Sequence, residues 1–352
     1  MRLISIDRIE KNMTLGKTLH DVRGNVLLPA GSDLWPFLAQ LKNFKIQFLY
    51  VNDEISKDIE AYSILRLETR QALPELMRTA EKEMASKRIA FEKISSMIAD
   101  DIYDQPELRL DVTELITNGL YRYRHELNVA IVAGLIGRML NMTSVEIKGL
   151  CMGGMFHDIG RLALPDEIMA KVAAGEELTA VETEQFKKYP SLGYDMIKND
   201  NSLPIATKAA VLQHMERIDG KGFPLRKSGE KIMPAGKILA IANMFDELFS
   251  GTNMEYGQAP MRIYEVVEYI QNHAGTAFDA ELAEEFAKHA IVFPNGTVVK
   301  LSNGKKGIVI NQNPDFIARP IIKITQSADG TPDLGLVNMM EDLSLIVEDI
   351  EV

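Results

Sequence analysis

The sequence has a single cysteine in 352 residues and no long run of apolar side chains. Cys151 has no partner for an internal disulfide, and its apolar surroundings predict a buried, unreactive thiol. No stretch approaches the roughly 20 apolar residues that a membrane-spanning helix needs, and no signal-peptide pattern begins the chain. These absences predict a cytoplasmic protein with no membrane span.

Basic residues are fewer than acidic residues. Lysine and arginine total 39 against 50 aspartates and glutamates, so the formal net charge is −11. Proteins that bind nucleic-acid polymers usually present a basic surface, so this balance argues against that class. It does not exclude a small anionic ligand, because a few local arginines and lysines decide such binding. The apolar content of 46% is typical of a globular protein, and the length allows two or three domains.

Histidines are few, which makes their positions informative. Three of the 6 histidines, His125, His157 and His214, lie in helical patterns in the middle of the chain. Asp158 follows His157 directly, and an imidazole and a carboxylate on one turn can hold a Zn, Mn or Fe ion. The second carboxylate oxygen can bridge to another ion. The other three histidines are predicted to be surface residues: His20, His273 and His289.

Several motifs resemble, in the same order, those of the HD-GYP family of cyclic di-GMP phosphodiesterases. The segments are HDIGRLALPDEIM from His157, QHMERIDGKGFP from Gln213 and KILAIANMFDEL from Lys237. Gly222, Phe223 and Pro224 stand where the family has Gly-Tyr-Pro. The resemblance covers about residues 111–292 and implies an all-helical module that hydrolyses a cyclic dinucleotide with bound metals.

The resemblance implies a set of metal ligands that this chain retains only in part. The retained positions are His125, the pair His157 and Asp158, and His214, with Asn243 as a weak ligand where the family has aspartate. The departures fall at four ligand positions: Tyr121, Tyr189, Met215 and Asn243. Tyr121 stands where some members have an acidic ligand for a third metal, and Tyr189 and Met215 stand where the family has histidines.

These departures weaken the second metal position most. Tyrosine, with an ordinary pKa of about 10, is a poor ligand at neutral pH, and a thioether matches Fe, Mn or Zn badly. Asparagine keeps an oxygen but loses the negative charge. We therefore expect at most one divalent transition metal (Fe, Mn or Zn), or none. Since phosphodiester hydrolysis in such sites uses two metals, the catalytic positions Asp158 and Arg161 are predicted to be vestigial.

The residues implied to contact the nucleotide also differ in part from those of the family. The resemblance places nucleotide contacts at Arg161, at the Gly222-Phe223-Pro224 loop and at Arg262. The family's leading arginine in the last of these segments is replaced by Ala259. Arg161, where the family has lysine, can still clamp a phosphate with two parallel hydrogen bonds.

Changes in periodicity divide the chain into four predicted segments. Residues 1–53 form a small β-rich N-terminal domain, and residues 54–104 a charged helical linker that could also form a homodimer. Residues 105–292 form the helical HD-GYP-like domain, in which Thr179 and Glu182 predict a capping box. Residues 293–352 form a small β C-terminal domain with a hairpin signal at Asn303-Gly304. The fold class is mainly α, with β-rich domains at both ends whose strands could pair with each other.

Three functions are compatible with this sequence. The first is a cyclic di-GMP signalling protein with little or no phosphodiesterase activity, which acts through a protein partner or residual ligand sensing. The second is an active metal-dependent cyclic di-GMP phosphodiesterase that tolerates unusual ligands. The third is a metal-free structural or interaction module. We rank them in that order, and metal content together with a hydrolysis assay distinguishes them.

Overall fold

The computed structural model describes most of the chain as two compact units. The described residues are 1–21, 25–44, 46, 48–56, 59, 63–81, 83–105, 123–251, 260–313, 316 and 318–350. The described parts of residues 1–64 and 291–352 form the first unit, which is rich in strands. Those of residues 65–110 and 123–290 form the second unit, which is helical. The fold is therefore mainly α with small β-sheets in its N- and C-terminal parts, as predicted.

The N-terminal part of the first unit contains short antiparallel strands around a small apolar core. Its elements are β1 (Arg2–Ser5), β2 (Thr14–Leu15), β3 (Leu19–His20), β4 (Val26–Leu28), α1 (Leu38–Asn43) and β5 (Phe48–Asn52), with 3-10 turns at Ile6–Arg8 and Trp35–Phe37. One sheet has the order β1-β5-β2, and β3 pairs with β4. Leu15, Leu34 and Val51 are fully buried between these elements.

The C-terminal part of the first unit is a five-stranded antiparallel sheet. Its strands are β6 (Val298–Leu301), β7 (Lys306–Asn311), β8 (Ile321–Gln326), β9 (Leu336–Asn338) and β10 (Val347–Ile350), in the order β10-β6-β7-β8-β9. The hairpin predicted at Asn303-Gly304 joins β6 to β7. Alternate residues of the strands, such as Val299, Leu301 and Ile322, form the core.

The two β parts of the first unit do not share a sheet. Among the described strands, those of residues 1–52 pair only with each other, and so do those of residues 298–350. The suggested pairing between the two chain ends is therefore wrong, although both ends lie in one unit. They meet at Gly296, where a Cβ atom would lie 2.9 Å from the carbonyl oxygen of Met1. The predicted four-segment boundaries stay a prediction.

The second unit is a bundle of helices around one helix whose second half is fully buried. The helices are α2 (Leu67–Ala80), α3 (Met84–Tyr103), α4 (Arg124–Met139), α5 (Ser144–Phe156), α6 (Asp166–Ala174), α7 (Ala180–Phe186), α8 (Tyr189–Ile197), α9 (Ile205–Gln213), α10 (Pro234–Ser250), α11 (Ile263–Asn272) and α12 (Ala280–His289). Shorter 3-10 segments lie at Ile159–Ala163 and Gly229–Lys231. Helix α5 is central, since it packs against α3, α4 and α9.

Helix α3 belongs to this packed unit and is not a solvated linker. Phe91, Ile94, Ile98 and Ile102 recur at helical spacing and are each at most 2% exposed. Burying a side chain of this size stabilises a fold by about 1.5–3 kcal/mol. The mixed charges that suggested a solvated helix share α3 with this buried stripe, so the predicted linker character of residues 84–103 is wrong.

None of the helices in the described ranges is both long enough and apolar enough to cross a membrane.

The three histidines predicted at the surface are partly buried rather than exposed. His20 lies in β3, and the ring nitrogens Nδ1 of His273 and His289 lie 2.9 and 3.0 Å from backbone carbonyl oxygens of the preceding turn.

The start of the central helix gives a test of the fold. The Thr143 hydroxyl accepts a hydrogen bond from the Glu146 amide, and the Glu146 carboxylate accepts one from the Thr143 amide at 2.9 Å. We expect Thr143→Ala to lower the free energy of unfolding by about 1 kcal/mol, because it leaves an amide of the first turn without its partner. Thr143→Ser keeps the hydroxyl and is the control. Chemical denaturation measures both variants, and equal losses would contradict the capping role.

Candidate metal site

Four helices bring the predicted ligands to one place. His125 lies in the first turn of α4, His157 and Asp158 follow α5, His214 follows α9, and Asn243 lies inside α10. Nε2 of His125 is 3.1 Å from Nε2 of His157 and 3.0 Å from Oδ1 of Asn243. The rings of His157 and His214 have centroids 5.0 Å apart.

A close backbone contact brings Tyr189 to the same place. A Cβ atom on Gly160 would lie 1.9 Å from the carbonyl oxygen of Tyr189 and 2.4 Å from the amide nitrogen of Gly193. Only glycine therefore allows the segment after Asp158 to lie against α8. The result is that Tyr189, at the start of α8, faces the site and is 1% exposed.

One half of the site could hold a cation. Ligand atoms of His125, His157 and Asp158 lie within 4.8 Å of one another. Oδ1 of Asp158 is buried and has no hydrogen-bond partner, which is the condition of an oxygen that a cation would satisfy. Nδ1 of His157 donates to the carbonyl of Gly154 at 2.7 Å, so Nε2 carries the lone pair toward the site. This half fits one divalent ion.

Hydrogen bonds on the side of the ring away from the site orient His125. Its Nδ1 donates to Oδ2 of Asp246 at 2.7 Å, and Asn128 donates from Nδ2 to the other oxygen of Asp246 at 2.7 Å. Such a carboxylate fixes the ring orientation of a metal-binding histidine. Asp246 and Asn128 were not assigned from the sequence. The signal that could have found Asp246 is its spacing of three residues from Asn243, which places both on one face of α10.

The other half of the site is satisfied without a cation. Nδ1 of His214 donates to the carbonyl of Val211 at 3.0 Å, and its Nε2 lies 2.8 Å from the Tyr189 hydroxyl. Nε2 is therefore the acceptor, and its lone pair is occupied by the phenolic proton. Met215 places its sulfur 3.7 Å from Nδ2 of Asn243. An engaged imidazole lone pair and a thioether are poor ligands for a divalent ion of the Fe, Mn or Zn class.

Arg161 occupies the space between the two halves. Its Nε lies 2.9 Å from Oδ2 of Asp158, and its guanidinium stacks 5.0 Å from the Tyr189 ring centroid. Burial raises the pKa of the Asp158 carboxyl, but the charge of Arg161 outweighs it and holds that pKa well below its usual range. Asp158 is thus an anion, and a guanidinium lies beside it.

Burial is the largest influence on the histidine pKa values. It lowers the pKa of His157 to about 4 and that of His214 to about 3. For His125 the hydrogen bond and charge of Asp246 outweigh burial and raise the pKa to about 9. Burial also raises the pKa of the Tyr189 hydroxyl well above 10, so the hydroxyl stays protonated at neutral pH and is not an anionic ligand.

The loop predicted to contact a nucleotide lies beside Tyr189. Glu216 is buried and accepts hydrogen bonds from the amides of Leu225 and Lys227, at 2.7 and 2.9 Å, which holds the loop closed. Gly222 is buried, Phe223 has its ring centroid 6.2 Å from that of Tyr189, and Pro224 follows it. The role of Glu216 was not predicted from the sequence.

The remaining predicted residues lie elsewhere or outside the described residues. Arg262 is exposed at the start of α11, and its Nη1 donates to the Tyr264 hydroxyl at 3.3 Å. Tyr121 and Ala259 lie outside the described residues, so the third-metal position and the replaced arginine stay predictions.

The chain matches the model of the HD domain family over residues 96–282, more than half of its length. It therefore belongs to the HD domain family. Within that family it is an HD-GYP member, which agrees with its curated relatives and confirms the resemblance found in its motifs.

Three curated relatives are described as cyclic di-GMP phosphodiesterases. The chain is 25% identical to one from Pseudomonas aeruginosa over 275 residues, which are 78% of this chain and 64% of the relative. It is 34% identical over 120 residues to the response regulator RpfG of Xanthomonas campestris, covering 34% of this chain and 31% of RpfG. It is 29% identical over 167 residues to one from Thermotoga maritima, covering 47% and 44%. The chain thus spans less than two thirds of the length of each relative.

Among solved structures, the chain is similar to an HDG"Y"P protein of Bdellovibrio bacteriovorus. The TM-score is 0.41 and the identity 14%, over 81% of this chain and 97% of that chain.

The contact between His125 and Asp246 gives a test of the site. In chelator-treated protein we expect the His125 ring to titrate at about pH 9. Nitrogen-detected NMR can follow this titration. Asp246→Asn should bring that pKa below the ordinary 6.5, because burial then acts without the opposing carboxylate. Asp195→Asn, at an exposed carboxylate paired with Lys198, is the control. A wild-type His125 that titrates at or below 6.5 would contradict this arrangement.

Proposed function

We propose that the chain is an HD-GYP-type signalling protein that has little or no phosphodiesterase activity. It acts by contact with a protein partner, a second copy of the chain included, or by residual sensing of cyclic di-GMP. It holds at most one divalent transition metal, Fe, Mn or Zn, at His125, His157 and Asp158. The observation that carries the proposal is the hydrogen bond from the Tyr189 hydroxyl to Nε2 of His214.

This hydrogen bond matters because paired metal ions in such sites lower the pKa of a bound water and stabilise the attacking and leaving oxygens. The lone pair of His214 is engaged by a phenol instead. Arg161 can neutralise a phosphate, but a guanidinium does not lose its proton and cannot activate a water as a base. The residues of this half therefore supply positive charge without a nucleophile.

The ligand class rests on the relatives and on the chemistry of the cleft. The curated relatives are described as acting on cyclic di-GMP, an anionic dinucleotide. Arg161 offers a planar donor pair that matches a phosphate. The loop at Gly222, Phe223 and Pro224 lies beside the Tyr189 ring, so an aromatic surface adjoins the guanidinium. Arg262 is proposed as a further phosphate contact.

Two other functions each have one observation in their favour. The unpartnered Oδ1 of Asp158, within the ligand group with His125 and His157, favours an active metal-dependent phosphodiesterase. The direct contact of His125 with Asn243, at 3.0 Å, favours a metal-free module, because these polar groups satisfy each other. We prefer the first proposal because it accommodates both observations.

The proposal is tested by a hydrolysis assay on protein loaded with Mn²⁺. We expect turnover of cyclic di-GMP below about 0.01 per second, against roughly 1–1,000 per second for typical enzymes. Elemental analysis of the same sample should give zero or one ion per chain. Turnover in the enzymatic range with two ions per chain would establish the phosphodiesterase instead.

Restoring the missing ligands tests the cause of the expected inactivity. The triple variant Tyr189→His, Met215→His, Asn243→Asp supplies two imidazoles and a carboxylate at the replaced positions. We expect it to bind one more ion per chain than the wild type and to gain measurable hydrolysis. Tyr189→Phe alone removes only the hydroxyl and is the control. A triple variant that folds but binds no additional ion would show that the ligand substitutions do not limit the site.

A further inference from the structure

The half-site that fits a cation has little negative charge of its own. Asp158 is its carboxylate ligand, and the guanidinium of Arg161 lies 2.9 Å from one of its oxygens. Asn243 offers a neutral oxygen where the family has an aspartate. Because Arg161 offsets part of the charge of Asp158 and Asn243 adds none, a further carboxylate near the ligands would strengthen the binding of a divalent ion.

Glu247 is placed to provide that charge. It follows Asn243 by one turn on the same face of α10. Its Oε1 accepts a hydrogen bond from Nδ2 of Asn243 at 3.2 Å.

The contact also decides which end of the Asn243 amide faces the site. An asparagine side chain can present either an oxygen or a nitrogen, and its neighbours select between them. The Glu247 oxygen can only accept from the amide nitrogen, and the Met215 sulfur is a weak acceptor on the same side. Oδ1 is thereby directed to the side of His125 Nε2, at 3.0 Å.

An independent observation at the same place points to a ligand. Oδ1 of Asp158 is buried without a hydrogen-bond partner, and this residue is only 8% exposed. The atom lies 3.6 Å from Nε2 of His157, whose lone pair faces the site in the tautomer set by Gly154 and lies 3.1 Å from Nε2 of His125. Two buried acceptors that face each other repel unless a cation or a proton lies near them.

We propose that Glu247 is a positioning residue for a single divalent cation held by His125, His157 and Asp158. Its carboxylate turns the Asn243 oxygen toward the cation and replaces the negative charge that Asn243 lacks. The inference rests on the proposed function in that one ion binds, and it adds a residue that neither the motifs nor the relatives assign.

The test is a double-mutant cycle on the full chain, with Mn²⁺ alone as the probe and the free aqueous ion followed by electron paramagnetic resonance. Glu247→Gln should weaken Mn²⁺ binding about tenfold, at the lower end of the effect of losing an outer partner of a metal ligand. In the Asn243→Asp background the same change should cost less than about threefold, because the aspartate already carries the charge. Glu268→Gln, which removes an exposed carboxylate of α11, should leave the affinity unchanged.

Two further variants keep the outcome interpretable. Glu247→Asp retains the charge and should stay within about threefold of the wild type, whereas Glu247→Ala should lose at least as much as Glu247→Gln. Thermal unfolding in chelator shows whether each variant folds. Equal losses from Glu247→Gln in both backgrounds, no loss in the wild-type background, or no Mn²⁺ binding by the wild type at millimolar concentration would each overturn the role of Glu247.

The proposed function is tested by hydrolysis rather than by Mn²⁺ affinity, so the two can be refuted separately. Rapid hydrolysis of cyclic di-GMP by the wild type would refute the loss of activity, and the affinity cycle would still decide whether Glu247 supports the ion. Conversely, a wild type without turnover and without a Glu247 effect would leave the proposed function intact and remove this inference alone.

Discussion

One buried hydrogen bond, between the Tyr189 hydroxyl and Nε2 of His214, determines how this half of the site can act. A buried imidazole that donates from Nδ1 to a backbone carbonyl has one acceptor left, and the partner of that acceptor decides what the residue can do. A phenol at 2.8 Å satisfies it fully. Because burial keeps the phenol protonated, this pair does not become an anionic ligand set at neutral pH. Arg161, stacked on the same ring, adds the positive charge that a cation would otherwise bring.

The two halves of the site differ in how their polar atoms are satisfied. Around His214 each acceptor has a protein donor. Around Asp158 one oxygen has none, and Nε2 of His157 lies 3.6 Å from it. A site of this kind favours a single ion on one side and a closed polar network on the other. The same asymmetry separates ligand recognition, which needs charge and shape, from hydrolysis, which needs an activated water.

Much of this could be predicted from the sequence, and the reasons are local. The resemblance of the motifs around His125, His157 and His214 to the HD-GYP family implies that these residues converge, and the Thr179 capping box and the Asn303-Gly304 hairpin are local signals that the structure reproduces. The hydrogen bond that replaces the lost metal ligands could not be predicted. The partners Tyr189 and His214 lie 25 residues apart, and no periodicity links them.

Helix α3 shows the same limit on a larger scale. Its charged residues are evident in the sequence, whereas the stripe from Phe91 to Ile102 gains meaning only from the helix that covers it. Propensity and pattern describe an element, and the neighbour that packs against it decides whether it is a linker or part of a core. Glu247 is a similar case, because its role depends on the amide that it orients.

The most direct measurement is a crystal structure of the protein grown with Mn²⁺, with the ions located by anomalous scattering. We expect no ion at His214, whose Nε2 should stay at hydrogen-bond distance from the Tyr189 hydroxyl, and at most one ion beside Asp158. Two well-occupied ions bridged by Asp158, with Nε2 of His214 at a coordination distance of about 2.1 Å, would contradict the proposed loss of the second metal position.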